Sequence, residues 1–91
     1  MLTFETTVNF RRDVKRAGKR GLDISKLEAI VDTLLTEVPL APKHQDHALT
    51  GDYIGHRECH IQPDWLLIYA VDGENLILTA SRTGSHADLF R

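Results

Sequence analysis

The sequence predicts an α+β fold: two N-terminal helices packed on one face of a small antiparallel sheet, in a single two-layer domain spanning residues 1–91. Three observations predict it. Residues 27–38 carry an apolar stripe at helical spacing, the second half holds three strand-like runs separated by turn signals, and 91 residues supply one core and no second domain. Helices precede strands instead of alternating with them, which argues for α+β over a parallel α/β sheet.

Each element has its own signal. Residues 2–6 (LTFET) alternate weakly and predict a short first strand. Thr6 or Thr7 can cap a helix over 8–20, with Phe10, Val14 and Ala17 at helical spacing and cations on the other faces; Gly21 ends it. In the second helix Leu27, Ile30, Val31, Leu34, Leu35 and Val38 follow the i, i+3, i+4, i+7 pattern of a core-facing stripe. Asp23 or Ser25 caps its start, Ser25 and Glu28 have capping-box spacing, and Pro39 and Pro42 stop it. Residues 39–52 (PLAPKHQDHALTGD) read as a loop. Strands are expected over 53–61, 65–71 and 75–82, with turns at Gln62-Pro63-Asp64 and Asp72-Gly73-Glu74-Asn75. The terminal RTGSHADLFR reads as a loop and a final half-turn. One sheet face is expected to pack on the helices and the other to be open to solvent.

Hydrophobic content of 42% with 26% charged residues is that of a folded chain and excludes disorder. A single cysteine, Cys59, excludes an internal disulfide framework and any multi-cysteine metal site, which fits a reducing compartment. No run approaches the length of a membrane span and the first residues lack a secretory layout, so the cytoplasm is the expected location. The net charge of −2 hides an asymmetry: Arg11, Arg12, Lys15, Arg16, Lys19 and Arg20 cluster near the start, and His44, His47, His56, His60 and His86 all lie in the second half.

The stretch RECHIQPDW places Glu58, His60 and Asp64 beside the apolar run WLLIYAV. On an extended 53–61 segment Tyr53, Gly55, Arg57, Cys59 and Ile61 face one way and Ile54, His56, Glu58 and His60 the other. Imidazole moves protons near neutral pH and a neighbouring carboxylate orients it, so His60 with Glu58 and Asp64, joined by His86, can form an acid–base site. Cleaving RNA through its own 2′-hydroxyl requires such a pair, with a cation such as Arg57 or Arg82 on the phosphate. The competing reading is that these are ordinary polar residues on a solvated sheet face. A metal site is not expected: His44/His47 sit in a Pro-flanked loop, and His56/His60 lie roughly 13 Å apart along a strand. Cys59 points away from His60 and reads as a small core residue. The basic helix is either a solvated face or an electrostatic footprint for RNA.

The runs H-A-L-T-G (47–51), R-E-C-H-I-Q-P-D-W-L-L-I-Y (57–69) and R-T-G-S-H-A-D-L-F (82–90), in this order, resemble the YafQ-type toxins of the RelE superfamily, the toxin halves of bacterial type II toxin–antitoxin modules. The resemblance covers nearly the whole chain. It implies a RelE-like fold and a small endoribonuclease, an mRNA interferase, that needs no metal and no cofactor. Such a toxin cuts messenger RNA in the ribosomal decoding site and leaves a 2′,3′-cyclic phosphate and a 5′-hydroxyl. The family's catalytic positions match His47, His60, Asp64 and His86. Its phosphate-facing arginine matches Arg82 and its base-stacking aromatic matches Phe90. Glu58 stands where relatives carry aspartate, keeping the charge with a longer reach. In role terms, His86 is expected as general acid, Asp64 or His60 as general base, His47 as a substrate-orienting group and Arg82 as phosphate clamp. The negative net charge departs from the basic balance of such toxins, so ribosomal RNA contact is expected from Arg11, Arg12, Lys15, Arg16 and Lys19. The partners implied are a cognate antitoxin, in a hetero-oligomer, and the ribosome with its mRNA. Two other readings stand beside this one: a ParE-like gyrase-poisoning toxin, and a catalytically silent antitoxin-binding member.

Overall fold

A computed structural model of the chain describes residues 1–90. In chain order the elements are β1 (Thr3–Thr6), α1 (Val8–Lys19), α2 (Ile24–Leu35), β2 (His47–Ala48), β3 (Arg57–Gln62), β4 (Trp65–Asp72), β5 (Ile77–Gly84) and α3 (His86–Leu89). The five strands form one sheet in the order β1-β5-β4-β3-β2. β1 runs parallel to β5 and every other pair is antiparallel. This is the expected α+β domain, with a mixed sheet.

Both N-terminal helices begin on side-chain caps. The Thr7 hydroxyl accepts from Phe10 N, and Asp23, not Ser25, caps α2 by accepting from Ser25 N. Gly21, at φ 81°, closes α1: Gly21 N donates to Gly18 O and Leu22 N to Ala17 O, the paired bonds of a Schellman turn that calls for a left-handed residue. The helix stripes (Phe10, Ala17, Leu27, Ile30, Val31, Leu34) pack against Cys59, Ile61, Trp65, Leu67, Tyr69, Leu78 and Ala80 of the sheet. Full burial of each large aliphatic here contributes about 1.5–3 kcal/mol before conformational entropy is set against it. Val38 is not part of the stripe. α2 ends at Leu35 with Thr36 as its cap, and Val38 is exposed.

The run WLLIY is buried on both faces of β4. Trp65, Leu67 and Tyr69 face the helices, whereas Leu66 and Ile68 pack under Leu89, Leu49 and Tyr53. The face opposite the helices is therefore not open to solvent as expected, because α3 and residues 49–53 cover its centre. The expected 53–61 strand is also shorter. A 3-10 turn occupies Gly51–Tyr53, Gly55 takes φ 87°, and pairing begins only at Arg57. His56 thus precedes the strand, with its ring edge-on to Tyr53. The third expected strand is displaced, running Ile77–Gly84 where 75–82 was predicted.

One irregularity re-aims the end of β5. Ile68 pairs with Arg82 but Tyr69 pairs with Ala80, so Ser81 is an extra residue. The bulge reverses the side-chain parity beyond it. Thr83, not Arg82, enters the helix-facing core, where it accepts from Trp65 Nε1 at 3.0 Å and donates to Leu66 O at 2.6 Å. Thr83→Val is expected to strand the indole N–H and the Leu66 carbonyl and to lower stability by about 1–3 kcal/mol. Chemical denaturation of the two proteins checks this.

Candidate active site

Two carboxylate–imidazole pairs meet beyond the covered face. On β3, alternation puts Glu58 and His60 on one side, and the Glu58 carboxylate lies 3.2 Å from His60 Nε2. Glu58 is buried, only 5% exposed, which spacing alone does not reveal. The second pair joins the β3–β4 turn to α3. Asp64 Oδ1 accepts from His86 N at 3.0 Å and contacts His86 Nδ1 at 2.7 Å. A carboxylate accepts, so His86 Nδ1 carries a proton towards Asp64 and Nε2 is the ring nitrogen left for proton exchange. The bonds from His86, backbone first, hold the Asp64 carboxyl below the usual aspartate range. The His60 and His86 rings stand 5.6 Å apart, nearly perpendicular.

α3 is pinned in place by Asp88. Its carboxylate accepts from Ser85 N at 2.9 Å while Ser85 Oγ accepts from Asp88 N, a complete capping box. Arg20 of α1 grips the same carboxylate through two bonds, at 2.7 and 3.3 Å. These contacts, Arg20 foremost, hold the Asp88 carboxyl well below its usual range. Gly84 is required here for space: a Cβ would lie 2.9 Å from Asp88 Oδ2.

The remaining expected residues fall around this centre. His47 on β2 pairs with Glu58 across the sheet and is exposed, its Nδ1 2.6 Å from Gln45 O. Phe90 packs edge-on against Tyr53 at 5.7 Å and lies 6.4 Å from His86. Arg82 is partly buried and already engaged: Nε and Nη2 donate to Asp13 at 2.7 and 3.2 Å. Asp13 first, and Tyr53 after it, hold the Arg82 guanidinium firmly protonated. Along α1, Arg16 pairs with Asp13 and approaches Asp88, and Arg11 bonds Thr6. Arg12, Lys15 and Lys19 make no ion pair among the described residues and are exposed. Burial pushes the Cys59 thiol up to about 12, so it is inert.

Sequence reasoning passed over Asp13, Asp88 and Tyr53. Asp13 stands three residues after Phe10 and four before Ala17, a core-facing position at which a carboxylate requires partners; that signal was present. Its oxygens accept from Arg16, Arg82 and Thr83 N. Asp88 is three residues beyond Ser85, the spacing of a capping box. Tyr53 had no local signal, since apart from His56 its neighbours come from β4, β5 and the C-terminal segment. Glu58, His60 and His86 also present donor atoms all within 4.8 Å of one another, a nitrogen–oxygen set that suits a first-row divalent ion. It is not one of the histidine pairs weighed from the sequence.

A small helix-on-sheet domain carrying paired imidazoles and carboxylates at one exposed corner has the RelE-like architecture of the toxins of type II toxin–antitoxin modules. Residues 2–91 match the family described as bacterial toxin of type II toxin–antitoxin system, YafQ, and the chain belongs to that family. The mRNA interferase toxin YafQ of Escherichia coli K12 is 39% identical over 87 residues, 94% of this chain and 92% of its own. The YafQ chain in the crystal structure of the E. coli DinJ–YafQ complex superposes with a TM-score of 0.91 at 37% identity, covering both chains completely. A metal-bound toxin from Helicobacter pylori superposes with a TM-score of 0.93 at 46% identity over 99% of this chain and 100% of its own.

Asp88 gives the site a defined acid limit. Its folded pKa is depressed from the ordinary 3.8, so the stability it contributes is fully present above the unfolded value and fades as pH falls through about 4 and below. Asp88→Asn is expected to lower the melting temperature at pH 7, with the gap to the parent beginning to narrow below about pH 4 and still open at pH 3. Gly84→Ala, by displacing Asp88, is expected to cost about 1 kcal/mol or more. Thermal melts across pH 3–7 measure both.

Proposed function

We propose that this chain is an mRNA-cleaving endoribonuclease toxin that acts on translating ribosomes and inhibits translation. The observation that carries the reading is the approach of two imidazoles from distant parts of the chain to 5.6 Å, each backed by its own carboxylate. In the reaction the RNA 2′-oxygen bonds to phosphorus as the P–O5′ bond breaks. One group takes the 2′-hydroxyl proton and another protonates the departing 5′-oxygen, leaving a 2′,3′-cyclic phosphate and a 5′-hydroxyl. His60, backed by Glu58, suits the base. His86, held by Asp64 through Nδ1, suits the acid, giving the departing 5′-oxygen a proton carried on Nε2. Asp64 is the weaker candidate for the base because its acidity is increased by the bonds from His86. Glu58 then acts through His60 and not on RNA directly.

Arg82, steadied by Asp13, stands as the phosphate clamp through its guanidinium N–H groups outside that pair. Phe90, 42% exposed and braced by Tyr53, is a stacking surface for a base. His47 orients substrate from β2. Proton transfer by side chains needs no metal. A divalent ion on Glu58, His60 and His86 would occupy the imidazoles that exchange protons, so Cu²⁺ or Zn²⁺ is an expected inhibitor and chelators are expected to leave cleavage intact. The exposed cations Arg11, Arg12, Lys15 and Lys19, with Arg16, form the edge that meets ribosomal RNA. Neutralisation by a cognate antitoxin fits the same region. An apolar groove of about 340 Å³ lies along Phe10, Val14, Ile24, Leu27 and Val31, and a disordered antitoxin segment that folds on binding can fill it.

His60→Ala and His86→Ala are each expected to slow single-turnover cleavage on translating ribosomes by roughly 10²–10⁴-fold and to relieve growth inhibition with the fold retained, His60→Ala at a lowered melting temperature because buried Glu58 loses its partner. Asp64→Ala relieves growth inhibition in the same way, through misorientation of His86. Parent-like cleavage in both histidine variants would overturn the assignment. DNA breaks with gyrase would favour the ParE-like reading, and no damage to either nucleic acid a binding module. Replacing Lys15 and Lys19 by Ala is expected to weaken ribosome association and to flatten its salt dependence by about one unit of slope per lost phosphate contact. Sedimentation at graded salt reads this out.

A further inference from the structure

A cleft of about 480 Å³ opens on the other side of His60. Lys43, His44 and Gln45, from the 3-10 turn after α2, form one wall; Gln62 and Pro63, at the end of β3, form the other. Its size falls within the range of roughly 300–1,000 Å³ usual for small-ligand sites. No carboxylate lines it. Lys43 supplies a cation, and two side-chain amides offer both donor and acceptor groups, the complement of a base edge and its phosphate.

The cleft is tied directly to the catalytic histidines. His44 Nδ1 lies 2.7 Å from the His60 carbonyl. A carbonyl only accepts, so Nδ1 donates and Nε2 is the ring nitrogen left to meet a ligand. Gln45 O in turn holds His47 Nδ1. Between them Asp46 is anchored under the sheet by Tyr69 Oη and Arg57 Nε. Gln45 takes a left-handed φ of 48°, a conformation that non-glycine residues hold only where the surroundings impose it. The wall is therefore preformed, tied at one end to the His60 carbonyl and at the other to His47.

We propose that this cleft seats the RNA nucleotide next to the scissile phosphate, with Lys43 on the phosphate and His44, Gln45 and Gln62 on the base edge. The proposal rests on the ribonuclease reading and names the substrate subsite that extends it. An RNA strand crossing His60 towards β3's end runs into this space, so the nucleotide there is read by hydrogen bonds while the chemistry takes place at His60 and His86.

The test uses a 2′-O-methylated RNA trinucleotide, which cannot be cleaved, titrated to millimolar concentration against the full chain and followed by backbone amide NMR. Shifts at residues 43–45 and 62, in addition to those near His60 and His86, are expected. The Lys43→Ala/Gln62→Ala variant is expected to bind five- to tenfold more weakly and, on ribosomes, to show a raised KM with kcat retained and an altered distribution of cut codons. Absence of shifts at residues 43–45, or equal affinity in a folded double variant, overturns the proposal. The shift map of the unmodified protein decides alone if the variant does not fold. Loop shifts in a protein that cuts no mRNA on ribosomes would remove the ribonuclease reading and leave the nucleotide seat. Cleavage without loop shifts would do the reverse.

Discussion

A four-residue helix has no stability of its own, because one hydrogen-bonded turn does not repay its nucleation. Yet α3 carries His86, and the site exists only if that turn is held against the sheet. Three contacts hold it: the Ser85–Asp88 capping box, the Arg20–Asp88 pair from α1, and the paired acceptance of His86 N and Nδ1 by Asp64. Leu89 adds an apolar anchor over Leu66 and Ile68. Arg20 thus serves the active corner from the far end of the chain without facing substrate. The first helix is coupled to the candidate site through a salt bridge and not only through the core.

The paired carboxylates divide their work by burial. Asp64 is largely exposed, with a side chain 69% accessible, so its bond to His86 is strongly screened and contributes orientation more than stability. Glu58 is buried beside a mostly buried His60. A buried ionisable pair gains in Coulomb attraction roughly what it loses in hydration, so it is not there for the fold. An apolar pair of similar volume would pack at least as well on that face. The sheet tolerates Glu58 and His60 at a position where stability alone favours hydrophobes, the pattern expected of a functional site.

The helices were legible because their signals are local: caps at Thr7 and Asp23, a left-handed Gly21, and a stripe from Leu27 to Leu34. The parity of Glu58 and His60 was legible for the same reason. Their burial was not, since the cover comes from α3 and residues 49–53, which are remote in sequence. Tyr53 to His56 alternate like a strand, yet Gly51 and Gly55 adopt positive φ and turn the chain before pairing starts. The pairing of His47–Ala48 with β3 is too short to leave a periodic trace. The bulge at Ser81 has no sequence signature either, though it decides which of Arg82 and Thr83 enters the core. His60, Asp64 and His86 were candidates from residue chemistry alone, and the resemblance to a family added His47. The chemistry of Asp64, as a carboxylate that orients His86, emerges only from the bond between them.

Asp13 joins these levels. It is buried, 3% exposed, and its two oxygens accept from Arg16, both reaching nitrogens of Arg82, and the Thr83 amide. The bulge makes this convergence geometrically available: with Ser81 looped out, the Thr83 amide and the Arg82 guanidinium reach one carboxylate together. On the proposed reading, a long cationic side chain held this way has lost its rotamer freedom before substrate arrives, so less entropy is lost on meeting a phosphate. The opposing effect is that Asp13 competes with that phosphate for the same guanidinium. Burial favours the arrangement over a free arginine, because the Asp13 contact fixes the planar fork while its remaining N–H groups stay outside the pair. On that reading Arg82 contributes positioning and not surplus positive charge, consistent with a chain whose net charge is negative.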